Sequence, residues 1–449
     1  MDVARPAQPS RDGRVDAPPH RLKIPVVVIG AGACGLVAAL AARKAGVLIL
    51  ERDASPSGST ALSSGFIPAA STRFQRAQGV DDSPGRMAAD ILRKNGHEAD
   101  EKLVHALCRA SGPAIEWLAD EHGVPFELVR GFLYPGHSAL RMHSVPEKTG
   151  AALMAALLRA CAGIDLLCSA AVTEVTASSV RFRRPDGAVE EVEYGSLVLA
   201  CSGFGGDPAM VREHIPEIAD ALYFGHAGNR GDAVKWGRAL GAAVKHMGAY
   251  QGHGSVATPH GVLITWALMM EGGIQVNADG RRFSNEHLGY SEQCLPVLEQ
   301  PGGCAWCVYD ERLHRLGMTF PDYREAHAAG AIRPAPDLPS LSETLKEVES
   351  YAGGKPDPFG RDFTTKPKLV PPYYAVKVTG ALLHTQGGLV VDERARVLDA
   401  DGRPLPNLFA GGGAACGVSG AHVWGYLSGN GLLSAVTLGR IAGTGAARV

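Results

Sequence analysis

Gly30, Gly32 and Gly35 stand in the spacing G-x-G-x-x-G, and Glu51 follows 21 residues after the first of them. Together these residues can hold a pyrophosphate and a ribose. The first glycine allows a tight turn, the second lets the backbone approach the phosphates, and the third lets a helix pack closely on a strand. A helix N-terminus there supplies N–H donors, and Glu51 can accept from a ribose hydroxyl. The surrounding elements fit that job. Ile24 to Ile29 is an apolar run suited to a buried parallel strand, and Leu36 to Ala45 is Ala-rich and helical. Gly46 ends the helix, and a second apolar strand delivers Glu51. Next, beyond Arg52, comes Gly58-Ser59-Thr60-Ala61-Leu62-Ser63-Ser64-Gly65, rich in hydroxyls and backbone donors. Such a loop could wrap a pyrophosphate or the edge of a flavin ring.

The rest of the chain must position this site. At 449 residues, two domains are expected. Net charge is −2, which gives no basic surface for nucleic acid or anionic membrane. No apolar run reaches the ~18 residues of a transmembrane helix. Residues 1–22 are rich in Pro, Arg and Asp without an apolar centre, and read as a disordered tail. Nine scattered cysteines point to reduced thiols in a cytoplasm. Cys304 and Cys307 form the one C-x-x-C, and read as incidental. No His/Cys/Asp/Glu cluster has metal-ligand spacing.

Residues 84–122 and Gly150 to Cys161 read as helices, and Ile164 to Val172 and Ser179 to Val192 as strands. Leu197 to Cys201 is a buried strand entering Ser202-Gly203-Phe204-Gly205-Gly206. That glycine cluster lacks the third glycine, because Pro208 takes its place, so no NAD(P)H domain is expected. Composition shifts near residue 248 towards Pro, His and aromatics. The expected plan is a Rossmann-like α/β dinucleotide domain in two pieces, 23–248 and 384–449, around an inserted α+β capping domain, 249–383. Gly429-Asn430-Gly431-Leu432 leads the last helix and brings backbone N–H groups back to the cofactor.

The G-x-G-x-x-G, the Gly58–Gly65 loop and the Gly429-Asn430-x-Leu432 helix start resemble the flavoproteins of the fumarate reductase and 3-ketosteroid dehydrogenase superfamily. Gln251-Gly252-His253, the run Gly273 to Glu286, and His384-Thr385-Gln386-Gly387-Gly388 add to the resemblance. It implies FAD, a cap over the substrate, and hydride transfer between a substrate carbon and flavin N5. It further implies that Ala33, Cys34, Val172, Ser202, Gly203 and Gly412 help hold the FAD. Covalent members carry a histidine in the loop that here reads Gly58-Ser59-Thr60, so non-covalent FAD is expected.

Departures from the fumarate reductases are informative. Their proton-donating Arg is replaced by Tyr290, and their carboxylate-clamping Arg by Tyr426. Trp266 and Met269 fall where their relay has a Glu and an Arg. Without those cations a dianion is poorly held. Tyr290, four residues after Glu286, and Tyr426-x-Ser428 instead resemble the ketosteroid dehydrogenases.

Desaturating a ketone removes an α proton and a β hydride. The base must be anionic when it acts, and a phenol, with a pKa near ~10, needs donors to lower it. The carbonyl oxygen needs donors as it gains charge. Tyr426 is expected as base, helped by Ser428 and the Gly429–Gly431 backbone, with Tyr290 as carbonyl donor; the roles could be exchanged. His253 and His384 are expected to bond substrate or hold the cleft. Tyr134, His137, Arg141 and His143 lie in a loop expected near the cleft and read as surface or structural, and Arg281 and Arg282 as supports of the cap. The expected activity is FAD-dependent α,β-desaturation of a ring ketone, a 3-ketosteroid or a smaller oxo-cyclohexane compound. Electrons would pass to a quinone or another acceptor. The rival is a C=C reductase acting on an enoate.

Overall fold

The computed structural model describes residues 23–449; the tail expected over 1–22 lies outside them. Lys23–Ile29 forms the central strand of the first sheet. It pairs in parallel with Val47–Leu50 on one side and with Val189–Leu199 on the other. Asp165–Leu167 extends the sheet beyond the former, and Pro404–Ala410 beyond the latter, both in parallel. Val26 to Ile29 are buried, as a strand covered on both faces requires.

The helix Ala33–Ala42 opens at the second glycine rather than at Leu36, because the Gly32 carbonyl already accepts from the Leu36 N–H. A 3-10 turn, Arg43–Ala45, continues it, and Gly46 leaves it at φ 87°. The last helix, Asn430–Ala446, lies directly against Ala33–Ala42. A Cβ on Gly439 would come within 2.6 Å of the Cys34 carbonyl oxygen, and one on Gly443 would collide with that of Ala38. This close approach brings the C-terminal residues back to the start of the chain.

The strand expected over Ile164 to Val172 is two strands. Asp165–Leu167 joins the parallel sheet, and Ala171–Val175 begins an antiparallel pair with Ser179–Arg183. Ser169, at φ 52°, turns the chain between them.

A second, mixed sheet is built on the long strand Tyr373–Thr385. Tyr250–Ala257 and Cys304–Asp310 flank it antiparallel, and Ile274–Val276 lies beyond the latter. Leu222–Tyr223 also joins it in parallel. The Tyr250–Ala257 pairing shifts register after Gln251 and again after His253. Such bulges re-aim side chains beside functional sites, and His253 stands at one.

Candidate functional site

The two sheets enclose one continuous cleft. At its first end Gly30 sits at φ 102°, where a Cβ would lie 2.7 Å from the Ala200 carbonyl oxygen. Glu51 closes the adjoining strand and accepts from Ala31 N at 2.8 Å and Asp53 N at 3.0 Å. A carboxylate keeps lone pairs beyond these two bonds for a ribose hydroxyl. Gly32, Ala33, Cys34 and Arg52 line the cleft beside Glu51.

The Gly58–Gly65 stretch holds a short helix, Gly58–Leu62, rather than only a loop. Thr60 Oγ1 accepts from Ala33 N at 3.0 Å and so occupies one donor of the nucleotide helix. Ser63 Oγ is tied to Thr60 O at 2.7 Å and to Gly65 N at 3.1 Å. Ser59, Thr60, Ser63, Ser64, Gly65, Val172, Ser202 and Gly412 all line the cleft. Two expected residues do not. A Cβ on Gly35 would collide with the Gly30 carbonyl oxygen, and one on Gly203 with Thr385 Oγ1, so both are packing positions.

Gly429 caps the last helix at φ 85°, and Gly429, Gly431 and Leu432 line the cleft with Ser428. Ser434 lies one turn further along, and its buried hydroxyl has no hydrogen-bond partner among the described residues. Two helix N-termini, a glycine cradle, a strand-end carboxylate and this orphan hydroxyl fit a bound dinucleotide of the FAD type.

A segment that sequence reasoning missed closes this end. Arg52 Nη2 donates to the Gly228 carbonyl and lies 3.5 Å from Asp232. His226 Nε2 is 2.9 Å from Asp53 Oδ2, and Asn229 Nδ2 donates to Ser59 Oγ at 2.7 Å. The only local signal was the short Gly225-His226-Ala227-Gly228-Asn229 run.

At the other end the structure gathers Tyr290, Tyr426, Ser428, His253 and His384 on the cleft wall. Tyr290 stacks on His253 with ring centroids 4.6 Å apart and stands edge-on to Tyr426 at 6.2 Å. Tyr426 meets His384 edge-on at 5.6 Å. Trp266 lines the same wall, edge-on to His253.

Burial pushes the Tyr426 phenol up to about 12, against the N–H groups of Gly431 and Gly429 and the Tyr290 hydroxyl, which all lower it. Burial drives Tyr290 well above the ordinary phenol range, helped by Tyr426 and Tyr134, while Ser428 acts to lower it. The Ser428 hydroxyl therefore works on Tyr290, not on Tyr426 as the sequence suggested.

Both histidines are neutral. Burial lowers His253 to about 3 and His384 to about 4. The Ser255 backbone N–H donates to His253 Nδ1 at 3.2 Å, which leaves the ring proton on Nε2. The Gln386 amide donates to His384 Nδ1 at 2.9 Å, with the same result. Each ring is thus a neutral N–H donor rather than a cation.

Tyr134 lines the cleft that its loop was expected to approach, rather than keeping to a surface or structural role, and stands 6.3 Å from Tyr290. Its neighbours in the sequence are structural and deeply buried. Arg141 bridges Asp82 at 2.8 Å and Asp90 at 2.6 Å, His143 bonds Thr72 at 2.8 Å, and His137 Nε2 donates to Ser428 O at 3.0 Å. Among the described residues, the cations lining the cleft, Arg52 and Lys148, stand by Asp53 and Gly65 at the cofactor end, and no Arg or Lys lines the tyrosine end. Cys304 and Cys307 are unpaired. Among the described residues no group of three or more His, Cys, Asp or Glu could hold a metal, and no helix is long and apolar enough to cross a membrane.

Comparison with known proteins agrees with the dinucleotide geometry. The family described as FAD binding domain matches residues 25–432. The chain is 29% identical over 447 residues to the probable fumarate reductase Ifc3 of Shewanella frigidimarina, covering 94% of this chain and 74% of that one. It is 24% identical over 532 residues to the 4-oxocyclohexanecarboxylate 2-dehydrogenase of Sinomonas cyclohexanicum, covering 93% and 92%. The solved 3-ketosteroid-Δ4-(5α)-dehydrogenase of Rhodococcus jostii, in complex with 4-androstene-3,17-dione, superposes with a TM-score of 0.76 at 26% identity. That match covers 95% of this chain and 97% of the other.

Proposed function

The chain belongs to the FAD binding domain family and is a flavin-dependent oxidoreductase, and from that premise we propose that it introduces a C=C bond α,β to a ring ketone. The observation that carries this reading is the tyrosine end of the cleft. Two phenols and two neutral imidazole N–H donors converge there, with no Arg or Lys of the described residues beside them. A ketone oxygen needs donors, whereas a dicarboxylate needs cations.

In this reading Tyr290 and the Nε2–H groups of His253 and His384 hold the carbonyl oxygen as it becomes negative. Tyr426 takes the α proton. Its phenolate gains from the Gly429 and Gly431 N–H groups and from the Tyr290 hydroxyl, and the proton can leave along Tyr290 and Ser428. Tyr290 stays protonated as the carbonyl donor, since burial, Tyr426 and Tyr134 all act to raise its hydroxyl. Non-covalent FAD, bound against Gly30 to Cys34, Glu51 and the start of the last helix, supplies the acceptor for the β hydride. The sheet built on Tyr373–Thr385 acts as the cap, and reoxidation falls to a quinone or another external acceptor.

The second reading is a C=C reductase acting on an enoate, supported by the likeness to a probable fumarate reductase. Anaerobic mixing separates the two. A saturated ring ketone is expected to bleach the oxidised flavin, with steroids, monocyclic ketones and keto acids as the panel. Reoxidation of reduced flavin by an enoate, with no bleaching by any saturated ketone, would replace the first reading by the second.

The pH dependence follows from the same groups. The base must lose its proton to act, and burial holds Tyr426 at about 12. The active fraction therefore grows as pH rises, and flavin reduction is expected to speed up about tenfold per unit between about pH 7 and 10. Since His253 and His384 titrate at about 3 and 4, no inflection is expected between about pH 5 and 8. A flat profile, or one turning near pH 6.5, would exclude Tyr426 as the base.

A further inference from the structure

Asp322 lines the cleft beside Phe320 and Pro321, at the start of the helix Pro321–Ala328. It is reached from Tyr426 by way of Tyr290, 6.2 Å away, and Tyr134, a further 6.3 Å on. The Asp322 charge acts on the Tyr134 phenol. Aromatic rings pack beside it: Phe132 stands edge-on to Phe320 at 5.6 Å and to Tyr134 at 4.8 Å, and Phe320 and Tyr134 line the cleft with Asp322.

The other carboxylates lining the cleft are engaged. Glu51 accepts two backbone N–H groups, Asp53 meets His226, and Asp232 meets Arg52. Among the described residues no hydrogen bond or ion pair reaches Asp322. Burial, and then Glu325, raise its carboxyl, as expected of an acid without a cation.

We infer that Asp322 determines which ring ketones enter: it accepts a hydroxyl on the end of the ring remote from the ketone and turns away a carboxylate there. The inference rests on the ring-ketone reading and narrows it to neutral, hydroxylated substrates. A hydroxyl donates to the unengaged carboxylate, whereas a second carboxylate meets a like charge in a desolvated wall.

Ring ligands that cannot be desaturated test this apart from turnover. The FAD-loaded protein is titrated with 4-hydroxybenzyl alcohol and with 4-hydroxybenzoate, and binding is read from the flavin absorption. The alcohol is expected to bind about tenfold more tightly than the acid. Asp322→Asn should bring the two within about twofold, and Asp322→Glu should keep the preference. Equal binding by the wild type, binding of neither ligand, or an unchanged ratio in Asp322→Asn would overturn the role of Asp322. Failure of every saturated ketone to bleach the flavin would instead overturn the ring-ketone reading.

Discussion

Tyr426→Phe is expected to slow flavin reduction by substrate on the order of 10³-fold while FAD stays bound. The substitution removes one oxygen and leaves the ring. Tyr426 is buried against Tyr290 and His384, so the phenyl group keeps those edge-on contacts. Losing its hydrogen bonds costs on the order of 1 kcal/mol of stability. The rate effect corresponds to about 4 kcal/mol of barrier, so the two are separable: turnover collapses and the melting temperature barely moves. A base acts only in the transition state, so kcat and kcat/KM should fall together. Tyr290→Phe should fall less steeply, because His253 and His384 still donate to the carbonyl. Undiminished turnover in the double Phe variant would remove both tyrosines from the chemistry.

How much of this site could be read beforehand depended on how local its signals are. Gly30, Gly32 and Glu51 were legible because a strand, a helix and a second strand carry them within one short stretch. Gly35 was legible as a packing position, and the helix behind it confirms that job. The α/β fold with a parallel sheet followed from the apolar runs, but the break at Ser169 did not, because a single residue at φ 52° leaves no periodic trace. Tyr290 and Tyr426 lie far apart in sequence, and residue type alone would have left them as ordinary buried aromatics. Only the resemblance singled them out.

Asp322, His226 and Asn229 were not legible at all, and of Tyr134 only the nearness of its loop to the cleft was. Each reaches the cleft through tertiary packing, and none sits at a spacing that constrains its neighbours. The neutrality of His253 and His384 was likewise hidden. It depends on burial and on donors from Ser255 and Gln386.

Glu286→Gln is expected to cost about 3–5 kcal/mol of stability, the usual penalty for stranding a buried cation. The Glu286 side chain is fully buried and meets Arg282 at 2.8 Å and Arg361 at 3.0 Å, while accepting from Gln275 N at 3.0 Å. Arg282 keeps Asp357 as a second partner, at 2.5 Å. Arg361 has no other carboxylate at ion-pair distance among the described residues, only the carbonyls of Met269 and Gly273, and its Nε is already unpartnered. Burial alone would raise the Glu286 carboxyl, but Arg361 and Arg282 hold it down at about 2, below its usual 4.5. The stabilisation is therefore complete above about pH 4.5 and lost as pH falls towards 2. The wild type should weaken across that window more than Glu286→Gln does. The same cluster braces the loop that carries Tyr290, since Trp266 Nε1 donates to the Glu286 carbonyl at 3.2 Å and Tyr290 follows four residues later. Turnover should fall with stability, and Glu286→Asp should recover part of both. Arg281→Ala is the control, because its pairing with Glu343 is solvent-exposed, with side chains 58% and 64% accessible, and worth about 0–1 kcal/mol. Chemical denaturation that places Glu286→Gln level with Arg281→Ala would show that the cluster does not stabilise the fold around the second sheet.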